Sequence, residues 1–127
     1  MTVYRGDNNG SFKVEKKHNS RYGFPALFFS TKEELARMYA TYKAREGGEP
    51  YVYAYDIAHN MQEIDFKGRE SYSLEFVNLI HDLKRSGVKA VRITNVFDYP
   101  SQDFKGNNSS DVVAVFDLSL INNGRII

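Results

Sequence analysis

Apolar positions fall into short runs separated by two long polar stretches. "TVYRG", Thr2 to Gly6, is β-branched and aromatic and is stopped by glycine, which predicts a strand followed by a turn at "DNNG". Residues 11–24 are polar, basic and rich in Ser, Asn and Gly, and predict a long loop. "PALFF" predicts a short buried strand. "STKEELARMYATYKAREGG" predicts the clearest helix: Ser30 or Thr31 caps it, and Glu33 or Glu34 completes a capping box. Leu35, Met38, Tyr39 and Tyr42 fall at helical spacing and form the expected inward stripe, and Gly47-Gly48 ends the helix.

"YVYAYDI" alternates and predicts a strand, whereas "HNMQEIDFKG" reads as irregular. "ESYSLEFVNLIHDLKRSG" predicts a second helix with Leu74, Val77, Ile80 and Leu83 inward and Gly87 as its stop. "VKAVRIT" and "DVVAVFDL" predict two more strands, separated by a second long polar loop over residues 95–110. Helices and strands mix without a sustained βαβ period, so the expected class is α+β in a single domain spanning 1–127. Polar loops this long in a small domain are more often functional or mobile than idle.

Composition narrows the chemistry. The chain has 17 basic and 16 acidic side chains, a net charge of +1, which gives no global pull toward nucleic acid or membrane. The densest basic segment, "KVEKKHNSR", reads as a solvated loop. There is no cysteine, which excludes disulfides, thiolate metal sites and cysteine nucleophiles and fits a reducing compartment. The first ten residues lack an apolar signal core, and no window approaches the roughly 20 apolar residues that span a bilayer, so a cytoplasmic location is expected. Nine tyrosines and nine phenylalanines point to half-buried surfaces or a groove. No phosphate-binding glycine loop, dinucleotide fingerprint or His-Glu-x-x-His is present. His18, His59 and His81 are scattered, so no metal site is expected.

Three segments, in order, resemble the ADP-ribosyltransferase fold. "VYRGD" is similar to the aromatic–His–Gly–Ser stretch of the poly(ADP-ribose) polymerase branch and to the arginine-type toxin branch, where Arg replaces His. "LFFSTKEELARMYA" resembles the polymerase stretch of two aromatics, a turn and a helix ending Ala-x-Tyr. "VVAVFD" resembles the Glu-aromatic-x-Val-aromatic-Asp strand. "KAVRITNVFD", "SSDVVAVFD" and the tail "LSLINNGRII" are similar to the polyvalent-protein branch found on phages and other mobile elements. The resemblance implies two packed antiparallel or mixed sheets with two main helices around an NAD cleft. It implies NAD as co-substrate, held by Arg5, Gly6, Ser30, Thr31, Phe29 and Tyr39, with no metal. Gly6 would clamp the nicotinamide amide, Arg5 would reach the phosphates or ribose, and Tyr39 would stack on the ring. The acceptor would be a host protein or nucleic acid, in the host cytoplasm.

Val112 stands where that family carries its glutamate, and valine supplies neither charge nor hydrogen bond. Asp111 is the expected catalytic substitute, although side chains alternate along a strand and a bulge is needed to turn it inward. Asp98 or Asp103 from the second long loop, and Glu75 or Asp82 on the second helix, are further candidates. Three readings follow from the residues: an active transferase, a catalytically silent module that keeps the cleft for a nucleotide or a protein partner, and a small nucleic-acid or protein-interaction domain.

Overall fold

The computed structural model describes residues 1–10, 22–58, 60–101 and 109–127. The segment "KVEKKHNSR", His18, His59 and Asp103 fall outside these. The described chain opens with strand β1, Thr2–Asp7, then β2, Leu27–Ser30, and helix α1, Glu33–Ala44. Strands β3, Tyr51–Ile57, and β4, Gln62–Asp65, lead to helix α2, Leu74–Arg85. Strands β5, Ala90–Phe97, β6, Ser109–Val115, and β7, Ile121–Ile126, complete it. The fold is α+β.

Hydrogen bonding links the seven strands into one sheet, in the order β4-β5-β6-β2-β1-β3-β7, where two sheets were expected. Only β4 and β5 run parallel, with α2 as their crossover. The join between β2 and β1 is a single register pair, Tyr4 with Ser30, whereas β1 and β3 pair along six positions. The sheet therefore divides into two halves joined by that one pair. Their inner faces share one core: Phe29, Val113 and Val115 from one half meet Val3, Tyr53, Tyr55 and Ile57 from the other. Phe29 and Tyr55 pack edge to face, with ring centroids 5.5 Å apart.

Each half carries a helix on its outer face. Phe76, Ile80 and Leu83 of α2 pack on Val91, Ile93, Val112 and Ala114. Burying each such aliphatic side chain stabilises by about 1.5–3 kcal/mol. Ser73 caps α2 by accepting from the Phe76 N–H at 3.2 Å. Leu74, expected inward, is 71 % exposed, and Phe76 takes its place. The reason is positional: Leu74 is the first helical residue and points past the sheet, while Phe76 sits over it beside Phe66.

Helix α1 also differs from its predicted stripe. Leu35 is buried, but the tightest contacts are Ala36 and Ala40 against Val52 and Tyr4. Gly6 explains this. A Cβ there would lie 1.9 Å from the Ala36 carbonyl oxygen and 2.5 Å from the Ala40 nitrogen. The helix backbone rests directly on the strand, which only small residues allow, and Met38, Tyr39 and Tyr42 are left half-buried on its flanks. No side chain caps α1. Ser30 instead accepts from the Lys32 N–H at 2.9 Å, just ahead of the helix.

Strand β4 falls in the segment that reads as irregular, and β7 in the tail. Both are edge strands, mostly exposed, so no buried face imposes an apolar period on them.

Candidate functional site

The register of β1 creates a split in the sheet. The Met1 ammonium donates to the Ile57 carbonyl at 3.0 Å, and the Ile57 N–H donates back to Met1 at 2.9 Å. Peptide groups alternate direction along a strand, so Val3 and Arg5 also face β3, while Tyr4 and Gly6 face the β2 side. Tyr4 finds Ser30 there. Two residues on, Gly6 would face Phe28 if the register continued, but the strands have parted. Two strand carbonyls are thereby stranded in partly buried surroundings, which is costly unless each finds a donor. Both are served by cations. The Arg5 Nη1 donates to the Phe28 carbonyl at 3.1 Å, and the Lys43 Nζ donates to the Gly6 carbonyl at 2.9 Å.

The split opens into a cavity of about 270 Å³ between α1 and α2. That is at the small end of the roughly 300–1,000 Å³ usual for small-molecule sites. Arg5, Gly6, Lys43 and Ser30 line it with polar groups; Phe28, Tyr72 and Phe76 contribute aromatic wall; Tyr39, Ser71 and Asp98 form a hydrogen-bonded cluster in its lining. Ser30 shares a hydrogen bond with Ser110 at 3.2 Å, which fixes its hydroxyl in the wall.

Asp98 is the one carboxylate lining this cavity among the described residues. It follows directly on β5. The Tyr39 and Ser71 hydroxyls each donate to its Oδ1 at 2.7 Å. Burial raises its carboxyl above the ordinary value, opposed by those two hydroxyls and the Tyr99 N–H, which bond the charged form. Burial also pushes the Tyr39 phenol far above its ordinary range, reinforced by the neighbouring Asp98 charge, so Tyr39 acts as a proton-bearing donor. Burial lowers the Lys43 ammonium to about 8, helped by the Arg5 charge and opposed by Asp7. Burial likewise lowers Arg5, with Asp7 the main opposing influence. The cavity thus holds two partly desolvated cations, Arg5 and Lys43, and one carboxyl, Asp98. It suits a ligand with a flat ring, a hydrogen-bond donor and an anionic group.

Of the residues singled out from sequence, Arg5, Gly6, Phe29, Ser30 and Tyr39 line this one cavity, although up to 34 positions separate them. Thr31 does not. Its N–H donates to the Asp111 carbonyl at 3.3 Å, on the path from β2 to α1. Asp111 is not brought in either. Arg92 grips its Oδ2 through Nε at 2.8 Å and Nη2 at 2.6 Å, on the sheet face opposite the cavity. A register shift does lie opposite it, but on β5 between Ile93 and Val96, while β6 pairs with β2 in regular register from Val112 to Val115. Val112 faces the cavity as the strand alternation requires, and is 3 % exposed. Glu75 and Asp82 lie on exposed positions of α2, Asp82 paired with Arg85. His81 packs against the Tyr22 and Phe24 rings. Among the described residues no group of three or more His, Asp or Glu converges as a metal site requires. Among the described residues no helix is long and apolar enough to cross a membrane.

Lys43 and Ser71 are site residues that sequence reasoning missed. Lys43 looks like the ordinary basic residue of a last helical turn, and Ser71 like loop polarity ahead of a helix. One signal existed for Lys43: it follows Tyr39 by four positions and so shares its helix face.

Comparison with known protein families, curated proteins and solved structures finds no match.

Proposed function

We propose that this chain binds NAD in the cleft between α1 and α2 and transfers its ADP-ribose to a macromolecular acceptor, a host protein or nucleic acid. One observation carries the reading: the Arg5-Gly6 pair, Ser30 and Tyr39, which the resemblance assigns to NAD, converge on a single cavity at the split between β1 and β2. The nicotinamide ring lies against Tyr39, and its amide lies along the Gly6 edge of β1. Arg5 takes a phosphate or the ribose. Asp98, the carboxylate in the cavity wall, replaces the glutamate that Val112 lacks. The glycosidic C–N bond breaks, nicotinamide leaves with the bonding electrons, and positive charge develops on the ribose. A fixed carboxylate acting there accelerates the step, because it stabilises charge that is larger in the transition state than in the substrate. Incubation with NAD labelled in the adenylate half, plus cell extract, tests the reading. Released nicotinamide and label carried into macromolecules are expected; a folded protein that binds NAD yet yields neither contradicts the transfer step.

A second reading is favoured by a separate observation. Val112 points into the cavity at the position mapped from the family's acid, so a chain that keeps the cleft as a silent nucleotide-binding module accounts for that substitution directly. Val112→Glu separates the two. A gain of NAD cleavage supports an intact cleft lacking only its acid, whereas unchanged cleavage, lost on Asp98→Asn, supports Asp98 in that role.

A further inference from the structure

The Gly6 carbonyl is already occupied. It projects from the open edge of β1 into the cavity, where a ligand's hydrogen-bond donor has to go, and the Lys43 ammonium sits on it at 2.9 Å. Lys43 is anchored from behind. Its own carbonyl accepts from the Asn8 Nδ2 at 3.3 Å, and that same amide donates to the Gly47 carbonyl at 2.9 Å, so β1 and the end of α1 are tied together. The stem is therefore fixed at its base, while four rotatable bonds leave the ammonium free to swing.

We propose that Lys43 is a displaceable stopper on the Gly6 carbonyl that sets ligand specificity, admitting ligands that combine a hydrogen-bond donor for this carbonyl with an anionic group for the released ammonium. This rests on the cleft being the ligand site. A donor alone has to replace a charge-assisted hydrogen bond with a neutral one and strand a cation beside Arg5, which is unfavourable. An anion alone draws Lys43 away but leaves the Gly6 carbonyl unserved. A ligand with both groups, such as a carboxamide joined to a pyrophosphate, satisfies both at once. The charged groups facing Lys43 agree with this. Arg5 and Asp7 on β1 are the charges that act on it, and Asp98 is the carboxylate among the described residues that lines the same cavity. Burial, and after it the Arg5 charge, lower the affinity of Lys43 for its proton, with Asp7 opposing.

The test compares wild type with Lys43→Met, and with Lys43→Gln should the methionine variant fail to fold. Three probes are used: nicotinamide, inorganic pyrophosphate and NAD, with the backbone carbonyl resonance of Gly6 followed by NMR. In the ligand-free variant the Gly6 carbonyl resonance moves. Nicotinamide binds a few-fold tighter, and pyrophosphate and NAD bind about tenfold or more weaker, the loss expected for one charge-assisted contact. An unmoved Gly6 carbonyl, or pyrophosphate affinity unchanged by the substitution, overturns the stopper. Failure of nicotinamide and NAD to bind either protein, while the Gly6 carbonyl and pyrophosphate still respond, overturns the NAD reading and upholds the stopper.

Discussion

Gly6→Ala isolates the contact on which the whole site is built. The added methyl carbon would stand 1.9 Å from the Ala36 carbonyl oxygen and 2.5 Å from the Ala40 nitrogen, whereas ordinary contact begins near 3.4 Å. Both atoms are helix backbone, so no side-chain rotation relieves the clash. Helix α1 must withdraw from β1 by about 1.5 Å, taken from those two distances. Withdrawal opens the cluster of Ala36, Ala40, Val52 and Tyr4. Overpacking costs about 1–3 kcal/mol, and a rigid backbone clash belongs at or above the upper end. The midpoint of thermal unfolding should fall by roughly 6–12 °C, at about 2–4 °C per kcal/mol for a chain near this length. Lys43 and Tyr39 ride on α1, so ligand binding should weaken together with stability. Denaturant unfolding with the slope held in common measures the loss. Because the obstruction is backbone, Ala36→Gly or Ala40→Gly in the Gly6→Ala background should not restore stability. A stability within about 0.5 kcal/mol of wild type, the range of an ordinary surface change, would refute the packing argument.

Other perturbations separate folding from chemistry. Asp98→Asn keeps an oxygen to accept from Tyr39 and Ser71 and removes a buried charge. Because burial raises the folded carboxyl above its unfolded value, the wild type loses stability as pH rises from that ordinary value through the folded one. At pH 7 the variant should therefore unfold at an equal or higher temperature while nicotinamide release disappears; a large destabilisation there would contradict the assignment. Lys43→Met tests the opposite sign. The folded ammonium titrates near 8 instead of 10.5, so the unfolded chain binds more protons between those values and wild-type stability rises with pH across that window. Loss of the donor to the Gly6 carbonyl offsets part of the relieved charge burial, so the variant's stability relative to wild type should be most favourable near pH 7. It should fall by pH 10.5, and calorimetric unfolding temperatures at pH 7 and 10 decide it. Asp111→Asn should leave NAD binding and turnover unchanged, because Arg92 holds that carboxylate on the other face; a loss of turnover measured by nicotinamide release would return Asp111 to the mechanism.

Both helices were legible in the chain because each is bounded by local chemistry and buries one face. Five of the strands, β1, β2, β3, β5 and β6, were legible for the same reason. Strands β4 and β7 were not, since pairing at an edge is a backbone matter that leaves no apolar rhythm. The split between β1 and β2 was invisible as well. It depends on where the register of two distant segments stops, and no single segment encodes that. Its contributors, Arg5, Gly6, Ser30 and Tyr39, could be named from motif likeness; what sequence did not disclose is that Gly6 is also demanded by the approach of α1. Asp111 shows the limit of choosing an acid by proximity in sequence. One residue along a strand reverses the face, and the carboxylate that reaches the cavity comes from Asp98, beyond the end of a neighbouring strand. Lys43 shares the helix face of Tyr39, but its role needed three-dimensional information, because its partner is a backbone carbonyl 37 positions away.

The central claim is that NAD binds at the split between β1 and β2. Amide chemical-shift mapping during titration with NAD tests it most directly. Saturable shifts should concentrate at Gly6, Ser30, Tyr39, Lys43 and Val112 while Arg92 and Asp111 stay still. Absence of shifts at millimolar NAD, or shifts gathered around Met61 and Arg92 on the opposite face, would contradict it.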